Sequence, residues 1–334
     1  MKAFVVDKYK KKGALRLAEM PEPQMGAHDV LVRIQATAIN LLDSKVRDGE
    51  FMLFLPYKLP FILGHDLAGT VVRVGANVRG FKAGDEVYAR PRDHRTGTFA
   101  EFIAVDQADL ALKPASLTME QAASIPLVGL TAWQALVEVG RVKPGQKVFI
   151  QAGSGGVGTF SIQLAKHLGA TVATTTSTAN VALVKSLGAD VVIDYKTQDF
   201  EQVLSGYDLV LNSQDAGTLA KSLNVLKPGG QLISISGPPD VPFAKSLGLN
   251  LFLRFVMRML SRSVLKKAKS RGVGYSFLFM RADGQQLAQI ASLIDAGVIR
   301  PVVDKVFPFA QTAEALAYVE TGRAKGKVVV KVAD

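Results

Sequence analysis

The sequence predicts an α/β protein: a doubly wound parallel sheet domain joined to a second, mainly antiparallel β domain. Three observations carry that prediction. Through about residue 122, short strand-like runs follow one another with glycine-rich turns between them. From Lys147 onward, strand-like and helix-like runs alternate. The first of those alternations passes through a cluster of glycines. In the first region, DVLVRIQATAI puts Val30, Val32, Ile34 and Ala36 on one face and Leu31, Arg33, Gln35 and Thr37 on the other, the period of a strand. LAGTVVRVGANV, GDEVYA and TFAEFIAV read as further short strands. Met119–Gly140 reads as helical and crosses into the second region. There KVFIQAG, TVATTT, DVVID, YDLVLNS and QLISIS are strand candidates, and Val157, Phe160, Leu164, Ala165 and Leu168 share one helical face. Past Gly272, YSFLFM reads as a short strand. DGQQLAQIASLIDAG reads as a helix with Leu287, Ile290 and Ile294 on one face, and GKVVVKV as the closing strand.

Composition narrows the class. A chain of 334 residues, 48% of them apolar, is long enough for two globular domains. No run of eighteen uncharged apolar residues occurs, and the opening MKAFVVDKYKKKG carries too short an apolar run for a secretory signal. The expectation is a soluble, cytoplasmic protein. Cysteine is absent, which excludes disulfides, thiolate metal ligands and cysteine nucleophiles. The net charge of +11 is concentrated: between Val241 and Ala282 there are nine Lys or Arg and no Asp or Glu. Without a zinc-finger, RRM or basic-zipper pattern beside it, that charge does not make a nucleic-acid-binding protein.

Gly153-Ser154-Gly155-Gly156-Val157-Gly158 fits Gly-x-Gly-x-x-Gly, follows a predicted strand and opens a predicted helix. A pyrophosphate must come closer to this backbone than a Cβ allows, and the helix N-terminus offers free N–H groups to it. This is the Rossmann dinucleotide-binding pattern; the competing reading is a tight turn with no ligand. Such folds usually carry an acid about 20 residues on, which holds the ribose hydroxyls of NAD. Here that place falls within Thr174–Thr178, and no acid occurs from Thr159 to Ala189. Hydroxyls accept a 2′-phosphate that an acid would repel, so NADPH is the expected coenzyme, with Lys185 and Tyr195 further along the chain as candidates to assist.

Gly64-His65-Asp66-Leu67-Ala68-Gly69-Thr70-Val71-Val72-Arg73-Val74-Gly75, followed by Gly84-Asp85-Glu86-Val87, resembles the signature of the medium-chain dehydrogenase/reductase superfamily. With Asn40, Asp43, Lys45 and Arg47, the glycine turn, and the closing Gly322-Arg323-Ala324-Lys325-Gly326-Lys327, the chain is similar to the zinc-independent quinone oxidoreductase and enone reductase branch. The resemblance implies a GroES-like catalytic domain, residues 1–123 and 281–334, split around a Rossmann NADP-binding domain at 124–280. It further implies a homodimer joined through the strand matching Tyr275–Met280. It places Asn40 and Asp43 beside the nicotinamide and an active-site water, with Lys45 as an electrophilic donor. Thr131, Ser177, Tyr195, Arg323 and Lys327 join Gly153, Gly155, Gly156, Val157 and Gly158 on the coenzyme. Two departures stand out: Leu41-Leu42 where the family loop often has Pro, and Val181 where some relatives carry Lys.

In zinc-bearing members of the superfamily the His of this motif binds metal together with cysteines. Here His65 is followed by Asp66, no cysteine exists, and His28, His94 and His167 share no ligand spacing with it. No metal is expected, and His65 is expected to be a hydrogen-bonded structural residue. Without a Lewis acid, hydride addition suits acceptors whose charge delocalises onto an enolate or phenolate oxygen, where a few hydrogen bonds hold it. The chain therefore reads as an NADPH-dependent reductase of quinones or of the activated C=C of α,β-unsaturated carbonyls, acting on a small electrophile. Tyr57 is a candidate proton donor. The alternative is an NADPH-binding protein of the same fold that acts through an interaction surface. Phe243–Arg271, rich in both large apolar and basic residues, is open to three readings: a lid over the substrate mouth, a dimer contact, or a membrane-surface contact.

Overall fold

Asp29–Ile39 is the hub of the antiparallel half of the computed structural model, which describes residues 1–333. It pairs with Asp66–Val74, Phe102–Asp106 and Lys327–Lys331, all antiparallel, inside a seven-stranded sheet. The sequence alternation predicts one buried and one exposed face, yet Leu31 and Thr37 are buried along with Val30 and Val32. Register shifts at Leu31/Val32 and Ile34/Ala36 mark bulges in its pairing with Asp66–Val74. Bulges bend a strand, and a curved sheet can cover both faces of its central member. Val30, Val32, Ile34, Leu67, Val87 and Ile103 fill one core. Phe4, Ile39, Leu63, Phe99, Leu316 and Val328 fill another.

The chain divides into two compact units, Met1–Leu130 with Arg281–Asp334, and Thr131–Met280. Specific bonds tie the late segment of the first unit to its early one. The hydroxyl of Tyr88 donates to the carbonyl of Leu287 at 2.6 Å, and burial pushes that phenol far above its ordinary pKa. Asp295, at the end of the helix Gly284–Asp295, accepts from the Ser116 hydroxyl at 2.7 Å and from the Ser116 amide at 3.0 Å.

A bidentate pair holds the loop Pro91–Ala100 to the hub strand: Arg95 donates to both oxygens of Asp29, at 2.8 and 2.7 Å. The Arg95 hydrogen bond holds the Asp29 carboxyl below its usual range. A carboxylate with a depressed folded-state pKa stabilises the fold above its unfolded value, about 3.9, and that contribution is lost as pH falls through the folded value. Asp29→Asn is therefore expected to lower the thermal midpoint at pH 7 and to bring it closer to wild type below about pH 4. A calorimetric series from pH 7 to pH 3 checks this; parallel curves would remove the pair from the acid limb.

The second unit has six parallel strands in the spatial order Val191–Asp194, Thr171–Thr176, Lys147–Ile150, Tyr207–Asn212, Leu226–Ser234, Gly274–Phe277. Sequence order reverses at Lys147–Ile150, so the chain runs outward in both directions from that strand. The crevice outside the carboxyl ends of the two central strands is where such sheets bind ligands. Phe149, Val210, Leu232 and Tyr275 pack in one core with Val264 and Ala268 of the helix Leu251–Ser270. No helix among the described residues is long and apolar enough to cross a membrane.

Candidate active site and coenzyme cradle

The glycine turn leaves the sheet at the reversal point. Two of its glycines are required by the protein's own packing. A Cβ on Gly153 would lie 2.1 Å from the Thr174 hydroxyl, and one on Gly158 would lie 2.3 Å from the Ala152 carbonyl. Gly155 differs: its Cβ would meet nothing nearer than the Ala152 carbonyl at 3.4 Å, and its backbone lies at φ −82°, ψ 174°, open to any residue. Packing does not explain that glycine; a cradle that a side chain would fill does. The helix Gly156–His167 starts there with no side-chain cap, leaving its first N–H groups for an anion. The residues present fit a dinucleotide.

The hydroxyl run has divided duties. Thr174 donates to the Ile150 carbonyl at 2.6 Å, and Thr175 accepts from the Ala152 amide at 3.1 Å, so both brace the turn. Thr176 donates to Ser154 at 3.0 Å. Ser177 is half-buried beyond the strand end and accepts from Asn180 at 3.3 Å. One acid does reach this cluster, from the neighbouring strand: Thr178 donates to Asp194 at 2.5 Å, which holds that carboxyl below its usual range. It lies too far along the chain for the sequence window to include it.

The first unit contains a buried polar network around the helix Leu41–Asp48. Asn40 is extended at φ −129° and caps that helix, while Asp43, three residues on, accepts from the Asn40 amide at 2.6 Å. The other Asp43 oxygen accepts from His65 Nδ1 at 2.5 Å. Asn40 Nδ2 donates to Asp66 at 2.9 Å. Lys327 donates to Asn40 Oδ1 at 2.5 Å, to Asp66 at 3.0 Å and to the Ile39 carbonyl at 3.2 Å. The second Asp66 oxygen accepts from the Leu127 amide at 2.7 Å. His65, Asp43 and Asp66 have no solvent exposure. Within this set, His65 Nε2 is buried without a partner.

The structure thus joins Asn40 and Asp43 to His65, Asp66 and Lys327, and leaves Lys45 outside. Lys45 is half-exposed, 4.0 Å from Glu50. Lys327 has all three ammonium hydrogens engaged inside the network. Arg323 is exposed in the first unit; Thr131 is buried and Tyr195 exposed in the second. The Tyr57 hydroxyl is buried beside Thr96 and His94 without a hydrogen bond of normal geometry, and burial raises its pKa, so it stays protonated at neutral pH. Asp66 stands in the sequence as part of the Gly64–Gly75 resemblance without a sign of its partners, and the binding of Lys327 to Asn40 has no local signature.

Comparison with known proteins fits this architecture. Residues 26–115 match the family described as alcohol dehydrogenase GroES-like domain, and residues 187–330 the family described as zinc-binding dehydrogenase. The mouse protein named NAD(P)H oxidoreductase RTN4IP1, mitochondrial, is 37% identical over 99% of this chain and 89% of its own length. An Arabidopsis thaliana NADPH-dependent alkenal/one oxidoreductase, chloroplastic, is 35% identical over 99% of this chain and 79% of its own. The structure of a quinone oxidoreductase from Coxiella burnetii superposes with a TM-score of 0.86 at 29% identity, covering 99% of both chains. The chain is a two-part oxidoreductase with a GroES-like domain and a Rossmann-type parallel sheet. It belongs to the medium-chain dehydrogenase/reductase superfamily, in its zinc-independent quinone oxidoreductase and enone reductase branch.

One of those family descriptions implies zinc, and the residues do not fit it. There is no cysteine, His65 is committed through Nδ1 to Asp43, and no metal-holding group of three His, Cys, Asp or Glu occurs among the described residues.

Proposed function

We propose that this protein is an NADPH-dependent oxidoreductase that reduces a quinone or the activated C=C of an α,β-unsaturated carbonyl without a metal. The carrying observation is Gly155, a glycine that the protein's own packing leaves room to replace, at an uncapped helix start, in a chain whose described residues hold no metal-binding set. The relatives' names, an NAD(P)H oxidoreductase, an NADPH-dependent alkenal/one oxidoreductase and a quinone oxidoreductase, support the same class. NADPH, when bound, supplies the hydride. Asn40 and Asp43 then act as positioning residues, because their side-chain atoms are already engaged. His65 Nε2 is the network atom with no hydrogen-bond partner among the described residues, and it is closed off from solvent, so we assign it the contact to a substrate oxygen or water that enters the site. Charge arriving on an enolate or phenolate oxygen needs a preorganised donor shielded from water; with Nδ1–H given to Asp43, Nε2 serves as that donor only when the imidazole carries both protons.

The deciding experiment follows NADPH oxidation with a quinone, an enone and a saturated aldehyde, with and without a strong chelator. Turnover of the first two, unaffected by chelator, is expected. Turnover confined to the saturated aldehyde, or lost to the chelator, defeats the reading. Tight NADPH binding with no turnover of any acceptor favours the non-catalytic alternative. His65→Gln is expected to lower turnover at least about tenfold with NADPH affinity retained, an effect in the range of a lost general acid or base, and to lower the thermal midpoint because Asp43 loses its buried partner. An unchanged rate would take the network out of the reaction.

Coenzyme choice is tested at Ser177. Ser177→Asp is expected to weaken NADPH roughly tenfold to a hundredfold more than NADH, a difference of about 1.4–2.8 kcal/mol, by setting a carboxylate against the 2′-phosphate. Equal wild-type affinity for the two coenzymes would contradict the assignment. We also propose a homodimer joined at Gly274–Phe277, which ends the sheet and among the described residues pairs only with Leu226–Ser234; an apolar sheet edge invites such pairing. Light scattering measures it. A cytoplasmic site remains part of this proposal, whereas the named relatives include mitochondrial and chloroplastic proteins, and cell fractionation separates these.

A further inference from the structure

The helix Leu251–Ser270 has two opposed stripes. Met257, Ser261, Val264 and Ala268, spaced four, three and four apart, are its buried residues. Val264 and Ala268 pack in the core of the second unit. On the opposite side, Phe252, Phe255, Met259, Arg262 and Lys266 follow the same kind of spacing, three, four, three and four, and all are exposed. The outward stripe is therefore apolar through its first half and cationic through its second. Exposure there is extreme for such side chains: 80% for Leu251, 71% for Phe252, 60% for Phe255 and 49% for Met259. Arg258, Lys267 and Lys269 flank it, also exposed. No ion pair among the described residues engages Arg258, Arg262, Lys266, Lys267 or Lys269.

A helix held by one stripe normally turns a polar face to water. This one turns a second apolar face outward, in a stretch from Val241 to Ala282 that contains no acid. Its occupant has to accept aromatic and aliphatic side chains and cations along one line of about 30 Å, the length of twenty helical residues. A second copy meeting this face about a twofold axis would set the two cationic halves into one interface with no carboxylate from either helix to pair them. A nucleic acid would answer the cations, but gives Leu251 and Met259 no partner. An anionic bilayer surface answers both, taking the apolar half below the headgroups and the cationic half among them.

We propose that the outward face of Leu251–Ser270 is a docking surface for anionic lipid bilayers, entered by Leu251, Phe252, Phe255 and Met259 and held by the cations that follow. This is peripheral contact, since no described helix can span a membrane. The proposal stands whether or not the reductase reading does, because it uses none of that site's residues.

The test is sedimentation of the full chain with vesicles of phosphatidylcholine alone and of phosphatidylcholine containing phosphatidylserine, at low and high salt. Wild type is expected to pellet with the anionic vesicles at least tenfold more than with the neutral ones. The double variant Phe252→Asp, Phe255→Asp is expected to lose that binding at least tenfold while keeping its melting temperature and its mass by light scattering. Because the chain has no cysteine, Met259→Cys carries a single polarity-sensitive dye. Its emission should shift to the blue on anionic vesicles, while the same dye on Lys196→Cys, at an exposed turn, should not move. Four results overturn the proposal. One is wild type left in the supernatant by both vesicles; another is a double variant that binds as well as wild type, leaving charge as the whole effect. The variant could instead halve the particle mass with pelleting unchanged, which makes the face a contact between copies. Finally, a duplex oligonucleotide could bind equally to wild type and variant and displace the vesicles, which makes the cations a nucleic-acid site.

Discussion

Lys327→Met should destabilise the first unit by about 3–5 kcal/mol, the cost of leaving one member of a buried ion pair without its partner. Lys327 supplies the only cation to Asp66 among the described residues, at 3.0 Å, and Asp66 has no solvent exposure. Without the ammonium, Asp66 keeps only the Asn40 amide group and the Leu127 backbone N–H, and Asn40 Oδ1 loses its donor. Asp66→Asn should cost less, because the ammonium keeps the Asn40 and Ile39 oxygens. The double variant, with Asp66→Asn and Lys327→Met together, should recover most of the loss, since the uncompensated charge is gone. Urea unfolding of the four proteins, read as a double-mutant cycle, checks this. Additive losses would mean that the two charges do not depend on each other.

The fold was legible because its signals are local. Period-two runs and helical stripes name their own elements, so KVFIQAG, TVATTT, DVVID, YDLVLNS and QLISIS all appear as strands of one parallel sheet. The glycine turn was legible for the same reason: its spacing, its strand and its helix are contiguous. The network was only half legible. Asn40 and Asp43 were reached through the family resemblance, and the structure shows them capping and closing one helix. Lys45 sits two residues beyond Asp43, and residues two apart on a helix face different ways, which turns it from Asp43 toward Glu50. Lys327 meets Asn40 across 287 residues, because Val328 stands opposite Ile39 in the sheet register. Register between distant strands is set by the whole fold and leaves no mark beside either residue. Asp194 reached the hydroxyl run the same way, standing opposite Thr176 on the next strand. Phe243–Arg271 showed its mixture of apolar and basic residues plainly, but not which stripe would be buried.

Gly155→Val should raise the dissociation constant for NADPH at least a hundredfold, about 2.7 kcal/mol, while lowering the melting temperature of the coenzyme-free protein only slightly. The two halves of that expectation come from different facts. Stability falls only by the N-cap preference for glycine over valine, because the position has ordinary extended backbone angles and the new Cβ meets nothing nearer than the Ala152 carbonyl at 3.4 Å. Binding is lost because the side chain then occupies the space at the start of the helix Gly156–His167, where a pyrophosphate must approach N–H groups that nothing in the protein caps. Gly158→Ala is the contrasting control. Its Cβ would lie 2.3 Å from the Ala152 carbonyl and 2.6 Å from the Gly153 Cα, both backbone, so the turn itself must shift and the coenzyme-free protein should melt earlier. Calorimetric titration with NADPH beside thermal melts of both variants separates the cases. If Gly155→Val binds NADPH as wild type does, the glycine turn is a packing device and the coenzyme sits elsewhere. If it loses stability as Gly158→Ala does, the open space is not there, and the cradle cannot be argued from it.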